Sequence, residues 1–252
     1  NFMMEQPNRG KKSIGIDLGH PDGHEALMRL VETADVFLTN ALPHVREKLG
    51  VDVEDLRARN PSIIVARGSG QGAHGPESDK GGYDGASFWA RGGVAGLFPG
   101  DAEGWPQGQP APAFGDVMGG LAVAGAIAAA LAKRERTGEP SVVDVSLLAT
   151  AMWQASPLVV AAKLFGLGSF PPRDRTKAAN PGVNAYRTSD GRYITLILLQ
   201  PDKFWADLAE RLERPELATD PRFADAVSRA EHCTECIAIL DEAFGSQPLA
   251  HW

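Results

Sequence analysis

The chain has 252 residues, 43% of them hydrophobic, and a net charge of −7. That is enough for one large domain or two smaller ones with real cores. The acidic balance argues against a nucleic-acid or anionic-membrane partner, because phosphate binding runs on clustered Lys and Arg. No apolar run reaches the roughly 18 uncharged residues that span a bilayer, and "NFMMEQPNRGKKS" lacks the apolar core of a signal peptide. A cytoplasmic location is expected.

Residues 12–18, "KSIGIDL", alternate as a strand does. A helix is expected over "PDGHEALMRLVETA", with Pro21 near its start and Ala26, Leu27, Leu30 and Val31 on one face. "DVFLTN" (35–40) suits a strand buried on both faces. "HVREKLG" and "DVEDLRARNP" read as short helices, the first stopped by Gly50, and "SIIVARGSGQG" (62–72) as a strand entering a glycine-rich loop. This rhythm predicts an α/β fold, a Rossmann-like doubly wound parallel sheet. The loops after Leu18, Asn40 and Gly70 should then meet at the carboxyl edge, where ligands collect.

Residues 72–112 are rich in Gly and Pro but carry Tyr83, Phe88, Trp89 and Trp105, which argues against disorder. An apolar helix is expected over 117–132, buried, and stopping at "KRERTG". "SVVDVSLL" opens the next element, followed by apolar helix to about Phe165. "FPPRDRTKAANPGVN" has the composition of an interdomain loop. "YRTSDGRYITLIL" reads as a β-hairpin turning on Asp190-Gly191, and helices are expected over 201–213 and 221–244. The domain boundary is placed near residue 180: residues 1–180 form the large domain and 181–252 a smaller α+β domain.

Asp116 is the one charge between a glycine and a long Gly- and Ala-rich run. It stands where an N-cap belongs, and Asp caps well. The helix N-terminus would also hold it ionised and bind an oxyanion beside it. An ionised carboxylate in a dry pocket can attack a thioester carbonyl. Gly119 and Gly120 either let a ligand approach or let helices pack closely. "GSGQG" (68–72) lacks the full pattern and the lysine of a phosphate loop. Cys233 and Cys236 in "HCTEC" find only His232 as a further zinc ligand. They read as neighbours on a helix, and no metal is expected.

Taken in order, "NRGKKSIGIDLGHPDGHEALMRLVETADVFLTN", "NALPHVREKLGV", "NPSIIVARGSGQGAHGP", "GGYDGASFWARGGVAGL", "PAFGDVMGGLAVAGAIAAALAKRERTGEPSVVDVSLLATA" and "RPELATDPRFADAVSR" resemble the class III CoA-transferase, or CaiB/BaiF, family across almost the whole chain. That family includes formyl-CoA transferase and α-methylacyl-CoA racemase. The resemblance implies an interlocked homodimer that binds acyl-CoA between domains and subunits, with no permanent cofactor. It implies that Asp116 is catalytic, passing through anhydride and aspartyl-CoA thioester intermediates in the transferases. Position by position, CoA contacts would fall at Ile16, Asp17, Leu18 and Gly19, at Asn40, Ala41 and Leu42, at Lys48, and at Gly82, Tyr83 and Asp84. Lys48 stands where Arg is common, and Ala41 replaces a usual aromatic. The loop 177–184 would close over the acyl end. Relative to the family, a first strand and a C-terminal return segment lie outside this sequence.

Racemases of the family have His-Asp where this chain has Tyr83-Asp84, and Glu-Pro where it has Gln200-Pro201. Racemisation needs groups on two faces of the α-carbon that exchange protons near neutral pH, which Tyr and Gln do poorly. The expected function is therefore an acyl-CoA:carboxylate CoA-transferase. The alternatives are a 2-methylacyl-CoA racemase or epimerase, and a non-catalytic acyl-CoA-binding protein.

Overall fold

In the computed structural model, which describes residues 2–98, 100, 104–168 and 174–252, the chain divides into two units, Asn1–Phe170 and Pro171–Trp252. The first opens on a short helix, α1 (Phe2–Glu5). The strand expected at 12–18 is absent: this stretch has no regular structure, and Ile14 is exposed. Alternation makes a strand only where a neighbour completes the hydrogen-bond ladder, and among the described residues none does. Helix α2 (Pro21–Val31) follows, with Pro21 in its first turn and His20 Nδ1 accepting the Asp22 N–H at 3.2 Å. Its buried face is Met28 and Val31, whereas the expected Leu30 is exposed.

Strand β1 (Val36–Thr39) leads to α3 (Pro43–Leu49), which ends at Gly50. Helix α4 (Val53–Arg59) starts in a capping box between Asp52 and Asp55, and β2 (Ile64–Ser69) comes next. Beyond the glycine-rich segment lie α5 (Phe114–Thr137), β3 (Val142–Ser146), α6 (Leu147–Gln154) and α7 (Ser156–Phe165). The strands form a parallel sheet in the order β1-β2-β3.

Strand β2 is the most deeply buried strand, covered on both faces. Ile63 and Val65 pack with Met28, Val31 and Leu56 of α2 and α4, while Ile64 and Ala66 pack with Val143 and with Ala130 of α5. Strand β1, expected to be buried on both sides, packs Phe37 on one face and Val36 on the other but lies at the edge with Leu38 exposed. The result is a mixed α/β unit with a parallel sheet between helices.

Helix α5 departs from expectation in length and burial. It is 24 residues long, by length and composition able to cross a membrane. Its C-terminal half lies on the sheet through Ala126, Ile127 and Ala130, but Val117 and Leu121 are exposed, as are Met152 and Trp153 of α6 and Leu164 and Phe165 of α7. A helix expected to be buried is therefore half uncovered within this chain.

In the second unit, β4 (Val183–Arg187) and β5 (Tyr193–Ile197) form the expected antiparallel hairpin. Gly191 turns it at φ 78°, a backbone conformation that costs glycine little. Helix α8 (Pro201–Arg211) follows. The single helix expected over 221–244 is instead α9 (Ala226–Glu231) and α10 (Cys233–Gly245). Asp225 starts α9 late by accepting the Ser228 N–H at 2.8 Å, and His232 separates the two helices. Tyr186, Trp205, Phe223, Leu240 and Phe244 form the core. The division at 170/171 precedes the boundary placed at 180, because Arg175 pairs with Asp241 of α10 at 2.9 and 2.8 Å. Residues 170–173 of the proposed interdomain loop lie outside the described residues.

Candidate active site

The carboxyl ends of the parallel strands open onto a cavity of about 440 Å³. Asn40 stands just beyond β1, Ser69 and Gly70 at the end of β2, and Ser146 at the end of β3, as expected where parallel strands deliver their loops. The first turns of α5 add Asp116, Gly119 and Gly120, and the segment 81–83 closes the rim. Two loops meet here at backbone distance. A Cβ on Gly70 would stand 2.6 Å from Gly82 Cα, and one on Gly82 only 2.1 Å from Ser87 Oγ. The paired glycines of "GSGQG" and "GGYDG" thus bring the rim together. Gly119 and Gly120 divide their two readings: a Cβ on Gly119 would press Leu147 at 3.1 Å, while Gly120 faces open space.

Asp116 is not the N-cap. Helix α5 starts two residues earlier, after Ala113, whose φ is 57° and whose side chain caps nothing. The cap comes from Asp84, which is buried and takes the Gly115 N–H on both oxygens at 3.1 and 3.0 Å, with Gln109 Nε2 donating at 2.6 Å. A Cβ on Gly115 would lie 2.4 Å from Asp84 Oδ1 and 2.3 Å from Phe88 Cγ, so this contact requires glycine.

The helix N-terminus does not bring the Asp116 pKa below its ordinary value. Although its surface is exposed, protein encloses it on the cavity side, and this desolvation, followed by the Asp84 carboxylate, raises its pKa above the ordinary value. Asp84 already occupies the end of the helix, so its charge opposes the positive pole that Asp116 would otherwise feel.

Of the residues expected to touch CoA, the structure brings Asn40, Leu42, Gly82 and Tyr83 to the same cavity as Asp116. Tyr83 is an exposed rim residue rather than a core aromatic. Ala41 lines a smaller cleft of about 60 Å³ behind the same segment, and Asp84 sits behind the start of α5. Ile16, Asp17, Leu18 and Gly19 do not reach the cavity. They form the turn before α2, where Gly19 N–H donates to Asp17 Oδ1 at 2.9 Å. Lys48 is exposed on α3 and also outside it.

Gly70, whose loop was expected at this edge, lines the cavity, and so do Ser69, Ser146 and Leu147, which were not singled out. The glycine-rich loop carried a signal for the first two. Ser146 carried none, since its sequence context marks only the cap that it provides by accepting the Ala149 N–H at 3.0 Å.

The sequence matches a model of CoA-transferase family III over residues 1–252. It is 31% identical to (R)-2-hydroxy-4-methylpentanoate CoA-transferase of Clostridioides difficile over 252 residues, 100% of this chain and 62% of that protein. A crystal structure of Rv3272 from Mycobacterium tuberculosis superposes with a TM-score of 0.80 and 35% identity, covering 97% of this chain and 64% of that one. A CaiB/BaiF family protein from Brucella suis does so with a TM-score of 0.77 and 30% identity, covering 96% and 62%. The chain spans less than two thirds of the length of these relatives.

Proposed function

This chain belongs to CoA-transferase family III, and from that premise we propose that it moves coenzyme A from an acyl-CoA to a carboxylic acid, with Asp116 as nucleophile. The observation that carries the reading is the position of Asp116 at the carboxyl edge of the sheet, in the 440 Å³ cavity and beside the open side of Gly120. Its ionised carboxylate attacks the thioester carbonyl, forming a mixed anhydride and releasing CoA thiolate. The thiolate attacks the Asp116 carbonyl, giving an aspartyl-CoA thioester and the free donor acid. The acceptor carboxylate then attacks that thioester, expelling CoA thiolate and leaving a second mixed anhydride, and the thiolate attacks the acceptor's carbonyl in it to give the new acyl-CoA and regenerate the Asp116 carboxylate.

Asn40, Leu42, Gly82 and Tyr83 are the proposed contacts inside the cavity. Ala41 and Asp84 support them from behind. Ile16, Asp17, Leu18, Gly19 and Lys48 fall to the nucleotide end of CoA, where Lys48 would meet a phosphate as a point charge. Of the loop read over 177–184, Val183 and Asn184 belong to β4.

Among the described lining residues Asp116 is the one carboxylate and no His, Lys or Cys stands opposite it, which suits transfer better than α-proton exchange. The deciding experiment incubates the full-length protein with a 2-methylacyl-CoA and a panel of carboxylic acids in heavy water. A new thioester that forms only with an acceptor, without deuterium at the donor's α-carbon, is expected. Rapid deuterium incorporation without an acceptor would overturn the reading in favour of a racemase. Neither reaction would point to a binding protein.

The reading includes a homodimer without permanent cofactor, located in the cytoplasm. Val117 and Leu121 of α5, Trp153 of α6, and Leu164 and Phe165 of α7 are exposed large apolar side chains, and clustered exposure of this kind marks interaction surfaces. A lipid bilayer is a poor cover for them, since the C-terminal half of α5 lies against Ile64, Ala66 and Val143 of the sheet. A second copy is the better cover. Light scattering on the full-length protein should give the dimer mass, and an active monomer would refute this.

A further inference from the structure

The segment leaving β1 is tied down from behind. Asn40 and Leu42 line the large cavity, while Ala41 between them lines only the small cleft behind it. In that cleft lies the guanidinium of Arg46, a buried charge on α3. It donates through an NH group to the Ala41 carbonyl at 2.7 Å and through Nε to Asp52 Oδ1 at 3.4 Å. Asp52 in turn lies 3.9 Å from Arg67, which holds Asp144 of β3 through two bonds of 2.7 Å. Alternating charges thus run from the back of the cavity wall into the sheet.

A buried guanidinium is expensive to desolvate, and an apolar side chain would fill the inner face of α3 at lower cost. Folding alone therefore gives a weak reason for Arg46. What a long cationic donor provides here is a grip on a carbonyl whose two neighbours form the cavity wall. We propose that Arg46 is a positioning residue: by holding the Ala41 carbonyl it fixes Asn40 and Leu42 in the wall, and so sets the affinity for coenzyme A without touching it. This rests on the reading of the cavity as the CoA site.

The test uses three variants of the full-length protein, with CoA affinity measured by titration calorimetry. Arg46→Met keeps the length and removes the donors. It should weaken CoA binding about tenfold, and raise KM for acyl-CoA in step while kcat stays within about twofold. Arg46→Lys, which can still reach the carbonyl with one donor, should recover part of the affinity. Asp52→Asn retains a capping side chain for α4 but deprives Arg46 of its opposite charge, leaving the Ala41 bond in place. It should lower the melting temperature with CoA affinity unchanged.

An Arg46→Met protein with wild-type affinity would overturn the proposal. So would an Asp52→Asn protein that loses as much affinity as Arg46→Met, since that pattern belongs to a merely structural role. A wild-type protein that does not bind CoA would overturn the reading of the cavity, and this inference with it.

Discussion

Replacing Asp116 with asparagine is expected to lower CoA transfer by about four orders of magnitude or more, while the fold and the binding of CoA survive. Asparagine matches the shape of the carboxylate but has no oxyanion with which to attack a thioester. Because Asp116 caps nothing, the substitution removes no helix cap. Stability should move the other way. A carboxyl whose pKa is raised by folding penalises the folded state as pH climbs from its ordinary value through the raised one. At neutral pH the variant should therefore melt slightly higher than the wild type, and the difference should vanish at pH values below the ordinary carboxylate range. Hydroxylamine added during turnover should inactivate only the wild type, by converting activated Asp116 to its hydroxamate. An Asp116→Asn protein with near-normal transfer would end the nucleophile proposal.

The elements that local chemistry specifies were legible in the sequence. Pro21 in the first turn of α2, Gly50 after α3 and Asp190-Gly191 in the hairpin act through their own backbones, and each stands where it was read. What needed a partner was not legible. Residues 12–18 have the alternation of a strand and, among the described residues, no strand beside them, and 35–40 have a buried composition on an edge strand. Helix α5 reads as a core helix because its residues are apolar, yet Val117 and Leu121 stay uncovered within one chain. Composition reports that a surface wants covering and is silent about which chain covers it.

The site divides in the same way. Asp116, Asn40, Leu42, Gly82 and Tyr83 were singled out and lie around one cavity. The family resemblance, not the strand pattern alone, marked them. The role of Asp84 was not legible, because it depends on a contact between residues 31 positions apart in sequence. Asp116 next to an apolar run looked like a cap, and the true cap comes from a different loop.

That loop supplies the last prediction, which turns on separating the two duties of Asp84. Asp84→Ala would leave the buried Gly115 N–H and the Gln109 amide without their shared acceptor, a loss of about 2–4 kcal/mol. Thermal melting should show it, and transfer should fall at least about tenfold as the first turn of α5 loses its anchor. Asp84→Asn keeps one oxygen that Gly115 and Gln109 can share, and it removes the charge together with the second acceptor. Since the Asp84 carboxylate helps to raise the Asp116 pKa, removing it should bring that pKa down. Attack requires ionised Asp116, so the rate falls as pH drops through its pKa. The acid limb of the pH profile of kcat/KM should therefore move to lower pH in Asp84→Asn, with melting lowered less than in Asp84→Ala. An acid limb that stays in place, with activity lost only through unfolding, would reduce Asp84 to a cap and leave the proton affinity of Asp116 to burial alone.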